Sequence, residues 1–92
     1  MNMADSVTVR VAQEDVRGEL QYTLLRDVEV IEGTCVTVYG VAVAWMSGGR
    51  LEVEKVHNVT DDCAQMEELM VRMADGWVFP VCLMDIIEDF IP

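Results

Sequence analysis

The stretch from Thr34 to Met46 constrains the fold more than any other part of the chain. Val36, Val38, Ala42, Ala44 and Met46 occupy one parity, and Tyr39, Val41, Val43 and Trp45 the other. A strand that is apolar on both parities is covered on both faces or lies at an interface. Gly40 in its middle implies a bulge or a close approach of another backbone. Ser47-Gly48-Gly49 then supplies a tight hairpin turn, because glycine takes positive φ without steric cost. The run is interrupted by Thr37 and Gly40 and falls well short of the roughly 20 apolar residues that a membrane helix needs.

The preceding segments supply partners for this strand. Val7, Val9 and Val11 alternate with Thr8 and Arg10, so residues 6–12 read as a half-buried strand with one apolar face. Gln13 to Glu19 is polar, contains Gly18 and is expected to be a turn or short loop. A second strand covers 20–31: Leu20, Tyr22 and Leu24 alternate, Leu25 breaks the phase, and Val28 and Val30 resume it. A one-residue slip turns a whole face outward, so a bulge or bend is expected over Leu25–Asp27, ahead of a turn at Glu32-Gly33. The fourth strand, 50–58, starts with Leu51 and Val53 on one side. Val56 breaks that parity, and a bend near Glu54-Lys55 is expected to release the chain from the sheet.

Two helices follow. Thr60 is the expected N-cap of a helix over 61–75, and Asp61 and Asp62 suit the positive end of its dipole. Cys63, Met66, Leu69, Met70 and Met73 fall at helical spacing and form one apolar stripe, while Gln65, Glu67, Glu68, Arg72 and Asp75 face water. Gly76 is expected to end this helix in the left-handed conformation. Trp77-Val78-Phe79 links it to a second helix over 80–91, which Pro80 starts. Leu83, Ile86, Ile87, Phe90 and Ile91 form its buried side and Asp85, Glu88 and Asp89 its outer side. The expected fold class is α+β: one domain, 1–92, with a four-stranded antiparallel meander and two C-terminal helices packed on one sheet face.

Charge narrows the partners. The 92 residues carry a net charge of −11. Residues 60–92 hold eight acids against one base, Arg72, whereas residues 1–59 hold nine acids and five bases. Phosphate recognition needs a basic face, so direct nucleic-acid binding is not expected; acidic membrane surfaces are disfavoured for the same reason. Met1 to Val11 carries Asp5 and shows no cationic region ahead of an apolar block, so no signal peptide is expected, and the expected compartment is the cytoplasm. With 52% apolar residues the chain can fill its core and leave apolar surface over, which favours a homodimer.

The search for chemistry is mostly negative. Cys35, Cys63 and Cys82 are odd in number and lack a CxxC, which argues against a disulfide framework and a zinc site; buried free thiols are expected. Asn58-Val59-Thr60 matches a glycosylation acceptor, without meaning in a chain that is not secreted. His57, the one histidine, reads as a surface or turn residue rather than a general base. Cys82 lies in the first turn of a helix, where a thiolate is stabilised, but Val81 and Leu83 favour its burial. Gly48-Gly49 joins two strands and so cannot cradle a phosphate at a helix N-terminus. No catalytic residue, cofactor or metal is expected.

Asp85, Glu88 and Asp89 stand at i, i+3 and i+4. Like charges at that spacing repel, and anions near a helix C-terminus oppose its dipole; each effect costs a few tenths to about 1 kcal/mol. As a plain solvated face the cluster keeps an apolar chain soluble. As a functional face it would dock a basic partner. Hard cations prefer ligands from loops that wrap them, so it is a poor metal site.

Tyr39-Gly40-Val41, then Val59-Thr60-Asp61, then Pro80-Val81-Cys82-Leu83-Met84-Asp85-Ile86-Ile87-Glu88-Asp89-Phe90-Ile91 resemble a family of short, uncharacterised clostridial (Firmicutes) proteins. Its members carry a Tyr-Gly-Ile strand and end in a Pro-x-x-Leu-x-Asp-Val-Val-Glu-Asp-Phe-Leu helix. The resemblance spans roughly residues 20–92, and Phe79 departs from it where a small polar cap belongs. No activity is assigned to that family, so the resemblance supplies no catalytic residues and implies only a bacterial or bacteriophage, intracellular setting.

The expected function is therefore a non-enzymatic protein-binding or regulatory domain. Its partner would meet Asp85, Glu88 and Asp89, Glu67 and Glu68, or apolar surface near Trp45 and Trp77. The alternative is a phage-type inhibitor of a nucleic-acid-binding effector, such as a CRISPR nuclease, that mimics nucleic acid with its acidic surface. An enzyme using Cys82 or His57 with a carboxylate is the third class and the least supported.

Overall fold

A computed structural model describes residues 10–90. Four antiparallel strands, β1 (Arg10–Asp15), β2 (Gly18–Ile31), β3 (Thr34–Ser47) and β4 (Arg50–Thr60), form one sheet in the order β1-β2-β3-β4. Two helices, α1 (Cys63–Asp75) and α2 (Leu83–Phe90), follow, the second entered through a 3₁₀ turn at Pro80–Cys82. This is the expected meander with C-terminal helices. Ser6–Val9 of the first expected strand lie outside the described residues.

Turn chemistry sets the strand boundaries. Glu32 and Gly33 both take positive φ, 50° and 79°, as do Gly48 and Gly49, 58° and 81°. Two successive positive φ values make the two-residue turn whose twist matches a hairpin. The β1–β2 connection is shorter than expected. Gln13, Glu14 and Asp15 belong to β1 and pair with Leu20, Glu19 and Gly18, leaving Val16-Arg17 as the turn. The Asp15 carboxylate accepts from the Arg17 backbone N–H at 2.8 Å and from its guanidinium, which closes that turn locally.

The bulge expected at Leu25–Asp27 is not there. Pairing of β2 with β3 runs unbroken from Glu19↔Met46 to Ile31↔Thr34. Leu25 needs no slip, because it projects to the face opposite Leu24 and is half-buried there. The irregularity lies between β3 and β4, where Tyr39 pairs with Thr60 but Val41 with Val56. Gly40 thus faces His57, Asn58 and Val59, with Asn58 at φ 57°. A Cβ on Gly40 would overlap the Val56 carbonyl oxygen and come within 2.9 Å of the His57 Cα. The close approach read from Gly40 is therefore present, but the bend expected at Glu54-Lys55 is not: both residues pair in regular register with Val43 and Ala42, and past the bulge the strand is not released but pairs again at Thr60.

The helices cover one face. Leu20, Tyr22, Val41 and Val43 are fully buried beneath Met66, Met70, Met73, Leu83 and Ile87. Burying each such side chain contributes about 1.5–3 kcal/mol. α1 starts two residues later than expected: Asp62, not Thr60, is its N-cap and accepts from the Gln65 N–H at 3.1 Å. Thr60 serves one step earlier, accepting from the Asp62 N–H. At the other end Gly76 has φ −92°, so it is not the left-handed residue. Trp77 takes that role at φ 54°; its N–H donates to Ala74 O and the Val78 N–H to Met73 O, a Schellman closure.

Candidate functional site

The helical layer carries the acid. Asp85, Glu88 and Asp89 are all exposed on α2, and none carries an ion pair among the described residues. Glu68 is exposed on α1 and Glu67 half-buried. Arg72, the one base of residues 60–92, is taken up at i, i+4 by Glu68, 3.4 Å away. Strand register adds two carboxylates on this side of the sheet: Glu52 pairs with Trp45 and Glu54 with Val43, both helix-facing, and both acids are exposed. The carboxylates of α2 do not share one electrostatic setting. Because α2 proper begins at Leu83, Asp85 stands in its first turn, where the dipole favours an anion, and only Glu88 and Asp89 oppose it.

The two tryptophans are not free surface. Trp45 is half-buried and meets Phe79 edge to face, ring centres 4.9 Å apart. Trp77 is half-buried with the Arg17 guanidinium 5.3 Å above its ring. Both pack against the core where the interhelix linker crosses the sheet end. The exposed apolar side chains are others: Val16 in the β1–β2 turn, Val28, Val30 and Ile31 near the β2–β3 turn, Met46, Leu51 and Val53 on the open sheet face, Val71 on α1, and Val81 and Met84 at the start of α2. Sequence parity could place Leu51 and Val53 together but could not tell that they stand exposed among the described residues.

The nucleophile candidates also move. The expected burial of the thiols is wrong for two of them: Cys35 and Cys82 are exposed, Cys63 is half-buried, and all three are free. Cys82 is turned outward because Pro80 and Leu83 take the core positions of the 3₁₀ turn. His57 is exposed and its Nδ1 lies 2.9 Å from Asp27 Oδ2, reaching across β3 to β2. Asn58 makes the same crossing, donating to the Glu29 carboxylate at 3.2 Å. These bonds pin the β4 bulge to the sheet, and Cys82 takes no part in them. Among the described residues no cluster of three His, Cys, Asp or Glu could hold a metal ion. A shallow cleft of about 470 Å³ lies between the Val16-Arg17 and Gly48-Gly49 turns, with Arg17, Ser47 and Arg50 on its walls. Arg17 is engaged there by Asp15, whose carboxyl it holds below the ordinary range, chiefly by the side-chain hydrogen bond. Among the described residues no helix is long and apolar enough to cross a membrane.

Fold and surface define the class: an α+β domain with a one-sided helical layer, acid concentrated on that layer and a sheet face left open. Residues 4–92 match the model of a family of unknown function (DUF6514), and the chain belongs to that family. No curated protein and no solved structure gives a significant match.

Proposed function

We propose that this is a non-enzymatic, cytoplasmic protein-binding domain that docks a basic partner through the outer face of its helices. The observation that carries the reading is the exposure of Asp85, Glu88 and Asp89, none of which carries an ion pair among the described residues. Like charges at helical spacing tend to destabilise a short helix, and a basic partner would turn that cost into attraction. Glu67 and Glu68 extend the face onto α1. Trp45 and Trp77 support it from beneath rather than contact the partner. The resemblance of the terminal segment to clostridial proteins favours a bacterial or phage setting. Mimicry of nucleic acid is the special case in which the partner's basic surface is a phosphate-binding channel.

The test is affinity capture of the tagged chain from lysate of its host, washed at low and at high salt. A basic protein held at low salt and released at high salt supports docking through charge, since screening weakens exposed pairs. A partner that resists salt contradicts it and points to an apolar contact. A nucleic-acid enzyme among the salt-released proteins selects the mimic.

A further inference from the structure

We propose that the open face of the sheet is the contact between two copies of this chain, stacked face to face about a two-fold axis that runs across the strands. The register arranges this face as three rungs. Arg10, Thr23, Ala42 and Lys55 form the first, Ala12, Gln21, Ala44 and Val53 the second, and Glu14, Glu19, Met46 and Leu51 the third. These positions alternate with the helix-facing Val11, Tyr22, Val43 and Leu20, so they project away from the helices. Two bases and two acids make these three rungs neutral on a chain of net charge −11, while Asp27 and Glu29, on the same face of β2 beyond the first rung, are engaged by His57 and Asn58. The acid of the helical layer points the other way, so two copies that meet through their open faces keep their repulsive sides apart.

The charges on the grid select the second copy and its orientation. Glu14 and Glu19 are direct cross-strand partners, a like-charge pairing that is destabilising by itself. Arg10 and Lys55 share the opposite rung and carry no ion pair among the described residues. An axis across the strands, through the middle rung, lays β1 on β1 and the first rung on the third. Each Arg10 then stands over the partner copy's Glu14 and Glu19, and Lys55 over Leu51. An axis along the strands would instead lay β1 on β4 and set Arg10 against Lys55. Small Ala12, Ala42 and Ala44 let the sheets approach at the centre, with Met46, Leu51 and Val53 supplying exposed apolar area.

Four strands about 4.8 Å apart and three rungs about 7 Å apart make a patch on the order of 400 Å². A standard interface buries about 800 Å² per partner, so this dimer is weak and dissociates on dilution. Sedimentation equilibrium of the full chain, from about 1 µM to about 500 µM, reads it. The expected result is a monomer that converts to a dimer over that range. Arg10→Glu and Glu14→Arg each abolish the dimer, and the double variant R10E/E14R restores it. Val53→Asp abolishes it independently, with circular dichroism verifying that each variant is folded. A monomer at every concentration overturns the proposal. So does a dimer indifferent to R10E and E14R, or one that the double swap fails to restore.

Discussion

The phenol of Tyr22, in the middle of β2, donates to the carbonyl oxygen of Val78 at 2.8 Å, in the linker between the two helices. The Met73 carbonyl lies 3.3 Å from the same hydroxyl. One fully buried side chain thus fastens the end of α1 and the start of the linker to the sheet. Removing the hydroxyl in Tyr22→Phe leaves the Val78 carbonyl short of this donor, while Met73 O keeps the Val78 N–H, and should cost about 1–3 kcal/mol in urea unfolding. Burial also pushes the Tyr22 phenol up to about 12. Below the ordinary phenol range both folded and unfolded chains keep this proton, and its contribution is complete. Between about pH 10 and the folded value only the unfolded chain releases it, so stability falls as pH rises through that window. Unfolding curves across it should show a steeper loss for the natural chain than for Tyr22→Phe.

Trp77 inverts the usual ranking of small residues. It holds φ 54° at the end of α1, a conformation that costs a side-chain-bearing residue about 1 kcal/mol and glycine nothing. Trp77→Ala and Trp77→Gly both lose the ring and its contact with Arg17. Trp77→Gly should nevertheless be the more stable of the two by about 1 kcal/mol, measured by urea midpoints at equal slope.

Gly40 is fixed by the backbone that crosses it. In Gly40→Ala the new methyl group meets the Val56 carbonyl, which belongs to the bulge and cannot move without breaking the His57–Asp27 and Asn58–Glu29 bonds. A loss of about 1–3 kcal/mol or more is expected in thermal or urea unfolding. Amide exchange should rise in β4 first and in β2 last.

The three carboxylates of α2 should not behave alike. Asp85→Asn removes an anion from the first turn and should lower stability slightly. Glu88→Gln and Asp89→Asn remove anions from the last turn and should raise it, each change being a few tenths to about 1 kcal/mol at low salt. Thermal unfolding at low and high ionic strength checks the signs, which should fade together as salt is added.

Much of this architecture is legible in the residues because it is encoded locally. The alternation of Leu20, Tyr22 and Leu24, the glycine turns at Gly33 and Gly48-Gly49, and the stripe Met66, Leu69, Met70, Met73 each act within a few residues. What was not legible depends on segments far apart in the chain. Nothing near Leu25 reveals that it lies half-buried on an open face, so its break in phase imitates a bulge. The true bulge depends on Asp27 and Glu29, about thirty residues before the His57 and Asn58 that reach them. Gly76 looks like the left-handed cap, yet that conformation falls one residue on, at Trp77, whose N–H and that of Val78 close the helix end. For the candidate site, the spacing of Asp85, Glu88 and Asp89 showed the acidic face, but the dipole setting of Asp85 required the 3₁₀ start that delays α2 to Leu83. The neutral grid of the open face follows from register among four separate strands and has no signature in any one of them.

Docking through the helical acid is tested most directly by comparing the natural chain with the variant D85S/E88S/D89S in capture from the same lysate at low salt. The account predicts that the folded variant loses the basic partner that the natural chain retains. Retention of the same partner in equal amount by the variant would contradict it and leave the acidic face a device for solubility alone.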